Sequence, residues 1–208
     1  MKTLRKAIAV IGEGITEKYY IESLRALAGN DFQILPQQLG VKASNLNELE
    51  KAIEKAINEG RDEVYCLIDM DNKGGLTEKT KYEKLKTKYH DKHFIKKNKG
   101  IDCYVHFIEN KRCMEVWFIY YFDYLTRHFG SYAEVENYLH KYVPDYQKHE
   151  NFFRSKGSLH EKLKAQGGNL ETAVTNAQHS LQNRDNTDSD DVSYSEMCHF
   201  MQALNIKE

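Results

Sequence analysis

Apolar positions along the chain alternate between two periods. KAIAVIG (6–12), DFQILPQQL (31–39), EVYCLID (63–69) and IDCYVHFIE (101–109) are short apolar runs that read as strands. EVYCLID is nearly continuous in its apolar character, as expected of a parallel strand covered on both faces. Pro36 places the second run at a sheet edge or a bend, because proline donates no ladder hydrogen bond. Between the runs the spacing becomes helical. TEKYYIESLRALAGN carries Tyr20, Leu24 and Leu27 on one face and stops at Gly29. NLNELEKAIEKAINEG puts Leu46, Leu49, Ile53 and Ile57 on one stripe, with Asn45 and Glu48 spaced as a capping box and Gly60 as its end. A third helix is predicted over residues 78–89. Such alternation over residues 7–109 predicts a four-stranded parallel sheet with right-handed crossovers, an α/β fold with helices against the sheet.

After Glu109 the pattern changes. CMEVWFIYYFDYLTRHF (113–129) is too long and too broadly apolar for a strand and predicts a buried helix. Further helices are predicted at 132–141, 159–165, 170–182 and 194–204, the last with Ser193 and Glu196 spaced as a capping box. Residues 1–110 therefore read as an α/β core and 111–208 as a helical region packed on it. NRDNTDSDD (183–191) reads as a solvated loop, with contact to a partner as the alternative for its acidic end.

Composition narrows the class. With 40% hydrophobic residues in 208, the chain can bury a core, and no apolar run reaches the roughly 20 residues a membrane helix needs. The opening MKTLRKAIAVIGEG meets Gly12, Glu13 and Gly14 too soon for a signal peptide, so a cytoplasmic location with no membrane is expected. Cys66, Cys103, Cys113 and Cys198 form no CxxC pair, which argues against a zinc knuckle or a disulfide framework. A net charge of −1 excludes a uniformly basic nucleic-acid binder and leaves local patches open.

Candidate chemistry concentrates where EVYCLID ends. On a strand Asp69 and Asp71 point the same way, about 6.6 Å apart. In open parallel sheets function gathers at carboxyl ends of strands, and Glu13 holds the matching place after the first strand. Three carboxylates that close would repel, and a divalent cation resolves the repulsion. Hard oxygen ligands suit Mg²⁺ or Mn²⁺. The simpler alternative is that the aspartates end a strand and open a turn, as Asp often does before Asn and Gly. A calcium loop is rejected: Lys73 stands at its fifth place and Thr80 where the bidentate Glu belongs. Gly12 and Gly14 lack the third glycine of a dinucleotide fingerprint, no histidine pair has zinc-site context, and Thr16 reads as a helix N-cap.

IAVIGEGITEKYYIESL followed by CLIDMD resembles the Toprim domain of topoisomerases, bacterial primases and overcoming-lysogenization-defect nucleases, with Glu after strand one and DxD after strand three. More specifically, Glu13, Gly14, Thr16, Glu17 and Tyr20, then IDMDN, then Asn110, Cys113, Met114, Glu115, Val116 and Trp117 resemble the RloB family of bacterial defence proteins. Arg112 departs from that family's pattern, which often has Pro there. The resemblance implies a Rossmann-like Toprim core and a Mg²⁺-dependent nuclease acting in phage defence beside an ABC-type ATPase partner. It implies phosphodiester hydrolysis of nucleic acid, with RNA preferred over DNA by analogy. Asp69 and Asp71 would then hold the metal, while Glu13 holds metal or acts as general base. The motif also raises Glu115 to a candidate catalytic residue, against a plain role at a helix start. A noncatalytic subunit that docks the ATPase or binds nucleic acid is the alternative.

Two weaker signals remain. Residues 79–99 hold nine lysines against Glu83 and Asp91, with Tyr82, Tyr89 and Phe94 interleaved. Lys79, Lys81, Lys84, Lys88, Lys96 and Lys97 would grip phosphates and the rings would stack on bases, or the rings face a core and the lysines are merely solvated. Glu109, at the end of the fourth strand, reads as a solvated strand end, with a place facing the carboxylate site as the alternative.

Overall fold

The computed structural model describes residues 6–28, 32–38, 46–71, 75–125, 127–155, 157–187 and 192–208, with only the backbone described for 32–38. Gly29, Asn45 and the acidic 188–191 segment lie outside these residues. Among the described residues no helix is long and apolar enough to cross a membrane. The chain divides into two compact units, residues 1–67 with 72–107, and residues 68–71 with 108–208.

The first unit is a sheet with helices. Its strands are β1 (Lys6–Gly12), β2 (Phe32–Gln38), β3 (Glu63–Asp69), β4 (Lys92–Lys96) and β5 (Ile101–Lys111), in the order β2-β1-β3-β5-β4. The last residues of β3 and β5 belong to the second unit. β1 pairs in parallel with β2 and with β3, Gly12 lying opposite Leu67. The proline-bearing strand is at the edge, as its missing donor requires. Val64 to Ile68 are all buried, which explains the unbroken apolar run. α1 (Ile15–Leu24), α2 (Leu46–Asn58) and α3 (Leu76–Tyr89) accompany the sheet, and α2 buries Leu46, Leu49, Ile53, Ala56 and Ile57, the predicted stripe.

Two expectations fail in this unit. β4, KHFIK, pairs antiparallel with β5 where only a basic segment was expected, so the sheet is mixed rather than the four-stranded parallel one. Its alternation is masked because Lys92, His93, Ile95 and Lys96 are all exposed and only Phe94 is half-buried, as suits a charged edge strand. Thr16 is not an N-cap either. Gly14 takes that place, its N–H donating to Glu17 Oε2 at 2.9 Å, while Thr16 is buried inside α1.

The second unit is helical: α4 (Glu115–Tyr120), α5 (Tyr132–Leu139), α6 (Glu150–Arg154), α7 (Leu159–Ala165), α8 (Leu170–Asn186) and α9 (Met197–Ala203), with a short strand β6 (Tyr194–Ser195) antiparallel to the end of β5. The long helix expected over 113–129 is only α4. Its residues are buried on every side, and its C-terminal carbonyls are taken by other segments: Asn176 Nδ2 donates to Tyr120 O at 2.9 Å and the Asn169 N–H to Tyr121 O at 3.0 Å. An aromatic and β-branched run with those carbonyls claimed elsewhere has little to extend it. The expected Ser193–Glu196 capping box is absent too. Ser193 O accepts from Tyr120 Oη, and Glu196 turns to Arg184 and the Glu109 N–H. α6 was not predicted; its five residues carry too little periodicity.

Candidate functional site

Glu13 belongs to the first unit, one residue past the paired end of β1. Its charge reaches the buried Cys66 thiol, whose pKa burial pushes well up, with Cys103 and Glu13 adding to the shift. Asp69, Asp71 and Glu115 belong to the second unit.

Asp69 ends β3, and the chain then runs alongside the end of β5. The Met70 N–H donates to Asn110 O and the Asp71 N–H to Arg112 O, both at 3.0 Å. Those two bonds fix the backbone from which the aspartates project. Oδ1 of Asp71 is buried and accepts no hydrogen bond among the described residues. A buried carboxylate oxygen ordinarily finds a donor or a cation.

Asn110, Cys113, Met114 and Trp117 are all buried. Asn110 Oδ1 accepts from Ser195 Oγ at 2.6 Å, which locks the end of β5 to β6. The Lys111–Arg112 peptide bond is cis. The Cys113 thiol is raised far above its usual pKa, first by burial and then by the charges of Glu115 and Asp69, with Lys148 opposing them. Asp69, Glu115 and Lys148 thus all act electrostatically on one buried thiol. All four cysteines are free and buried.

Glu115 is fully buried at the start of α4. Its Oε1 accepts from Tyr146 Oη at 2.7 Å and lies 3.2 Å from Lys148 Nζ. Lys148 in turn sits 4.9 Å from the centre of the Tyr132 ring. Oε1 thus meets a cation and a hydroxyl. Sequence reasoning missed Lys148. The available signal was a carboxylate in an apolar run, which demands a buried countercharge from elsewhere in the chain.

Among the described residues no three His, Cys, Asp or Glu side chains are placed to hold a metal ion. The donor set still fits a hard cation of the Mg²⁺ type, which takes one or two carboxylates and keeps its waters. The chemistry of two aspartates and the unsatisfied Asp71 oxygen suit that role.

Glu109 is corrected: it is buried, accepting from Tyr194 Oη at 3.0 Å, and its N–H donates to Glu196, which pairs with Arg184 at 2.9 Å. The lysine-rich stretch also changes. Tyr82 and Tyr89 are buried and cannot stack on bases. Lys81 pairs with Glu78 at 2.8 Å, Lys88 with Glu50 at 2.7 Å, and Lys96 donates to Asn58 at 2.9 Å. Lys79 and Lys84 flank an open surface depression on α3 together with Leu76 and Thr87, and Lys97 opens a 3-10 turn ahead of β5.

The family model described as RloB-like protein matches residues 8–204, nearly the whole chain. The chain belongs to the RloB-like family. Among curated proteins and among solved structures nothing matches. RloB-like membership covers both units, so the aspartates after β3 and the Asn110 to Trp117 run fall within one family match.

Proposed function

We propose that this RloB-like chain is a Mg²⁺-dependent nuclease with a Toprim-like core, hydrolysing phosphodiester bonds in bacterial phage defence alongside an ABC-type ATPase. The observation that carries the reading is Asp71: its backbone is tied to the end of β5 and its buried Oδ1 accepts no hydrogen bond among the described residues, beside Asp69 at the end of a parallel strand. Asp69 and Asp71 would hold the ion. When bound, Mg²⁺ neutralises the scissile phosphate and lowers the pKa of attacking water.

The chain's own residues do the rest. The Asp71 N–H bond to Arg112 O orients that carboxylate, which limits the motion needed to meet a phosphate. Lys148 holds Glu115 in its buried place through their 3.2 Å ion pair. Glu13 is the candidate general base, from its motif and its place after β1.

One observation favours the second reading, a noncatalytic subunit that docks the ATPase or binds nucleic acid: no three ligand side chains converge among the described residues. Incubating end-labelled RNA and DNA with the protein, Mg²⁺ or Mn²⁺, and the ATPase separates the two. A nuclease yields products with wild type and metal, none with chelator, and none with Asp69→Asn/Asp71→Asn. Intact strands under every condition, with the ATPase present, support the noncatalytic subunit. RNA, including tRNA, is the first substrate to test.

A further inference from the structure

Cations and rings alternate over one surface of the second unit, beginning at the backbone that holds Asp71. The Arg112 carbonyl accepts the Asp71 N–H, and the Arg112 Nε–H donates to Phe129 O at 3.0 Å. The Arg127 guanidinium lies 4.9 Å from the centre of the Phe129 ring and 5.7 Å from that of Tyr138. Lys141 Nζ lies 3.8 Å from the centre of the same Tyr138 ring. Tyr142 stacks on Phe122, ring centres 4.8 Å apart and planes within 8°. Arg127 and Lys141 are exposed, while Tyr138, Tyr142 and Phe122 are half-buried.

The carboxylates in this strip are largely engaged. Asp123 Oδ2 accepts from Tyr138 and Tyr142 at 2.9 and 3.1 Å. Glu134 accepts from the Gly130 N–H at 3.2 Å and stands 3.8 Å from Arg127. Arg112 has no carboxylate within ion-pair distance among the described residues, so its terminal nitrogens keep their capacity to donate. Arginine's planar fork suits a phosphate better than a lysine's point charge. The lysines of α3 differ, offering charge while Tyr82 and Tyr89 are buried beneath them.

We infer that this strip binds a single-stranded nucleic acid, its phosphates on Arg112, Arg127 and Lys141 and its bases against the Tyr138 and Tyr142 rings. Duplex offers phosphates but no free base faces; a single strand offers both, which matches alternating cations and rings. The inference rests on the nuclease reading only in setting the strand beside Asp71.

The test is fluorescence anisotropy of labelled single-stranded and duplex oligonucleotides with chelator present, so that binding is read without cleavage. Arg127→Gln/Lys141→Gln alters two exposed side chains and should weaken single-strand binding roughly tenfold. Adding Arg112→Gln should weaken it further and flatten the salt dependence by about 2 in log–log slope, at ~0.7 per phosphate contact. Thermal melting checks that each variant folds. Lys79→Gln/Lys84→Gln should bind as wild type. The inference is overturned if the Arg127/Lys141 variant binds within twofold of wild type, if the α3 variant alone loses binding, if wild type binds duplex as tightly, or if wild type does not bind. Asp71→Asn should leave this binding intact; intact binding with no metal uptake would sink the nuclease reading and leave the strip standing.

Discussion

Replacing Lys148 with methionine removes an ammonium that faces the fully buried Glu115 carboxylate while keeping the stem's volume. Glu115 would retain Tyr146 Oη at 2.7 Å and lose the ammonium at 3.2 Å. Breaking a buried pair by removing one partner costs about 3–5 kcal/mol. Glu115 is wholly buried but Lys148 is 33% exposed, so water replaces part of the lost interaction and about 2–3 kcal/mol is the expected cost. For a chain of this size that is a fall in melting temperature of roughly 5–10 °C, measurable by calorimetry or circular dichroism at pH 7. Glu115→Gln in the same background removes the buried charge and should recover at least half of the loss. The double-mutant cycle should give a coupling of about 1–2 kcal/mol. A fall below about 2 °C for Lys148→Met, or no recovery in the double variant, would refute the account of Glu115 as a charge held by Lys148.

Other expectations follow from the same geometry. Ser195→Ala leaves the buried Asn110 oxygen without its 2.6 Å donor and should cost about 1–3 kcal/mol in denaturant unfolding; an unchanged midpoint contradicts the lock between β5 and β6. Gly12→Ala would drive a Cβ into Glu17 Cβ, and overpacking of that kind costs about 1–3 kcal/mol; a variant as stable as wild type would show that α1 yields freely. Burial holds the His160 pKa below its ordinary 6.5, against the opposing pull of Glu208 at 3.1 Å, so the stability it contributes is present above pH 6.5 and is lost as pH falls below that value. Melting temperature should therefore fall more steeply between pH 7.5 and 5.5 in wild type than in His160→Gln, and equal slopes would count against this.

Much of the fold was legible because its strands and helices bury one consistent pattern. β1 is apolar from Ala7 to Gly12 and β3 from Val64 to Ile68, and α2 carries a stripe that the structure buries residue by residue. β4 was hidden because an edge strand lined with lysine has the composition of a solvated loop. The extent of α4 was misread because burial on all sides gives an apolar run of any length, and the residues that stop it, Asn169 and Asn176, come from distant sequence. The aspartates after β3 were visible as two carboxylates where an apolar run ends. Lys148 and the strip through Arg112, Arg127 and Lys141 were not, since each depends on tertiary neighbours that no local spacing encodes. Glu109 misled for the same reason: a carboxylate at a strand end looks solvated until Tyr194 and Arg184's partner Glu196 arrive from the far end of the chain.

The most direct measurement is calorimetric titration of Mn²⁺ and Mg²⁺ into wild type and Asp69→Asn/Asp71→Asn, with and without a single-stranded oligonucleotide bearing uncleavable phosphorothioate or 2′-modified linkages. The account expects a saturable site in wild type, strengthened by the oligonucleotide because phosphate oxygens complete the ion's shell, and lost in the double variant. Identical isotherms for the two proteins, or no uptake by wild type even with the oligonucleotide bound, would contradict it and leave Asp69 and Asp71 as the polar end of a strand.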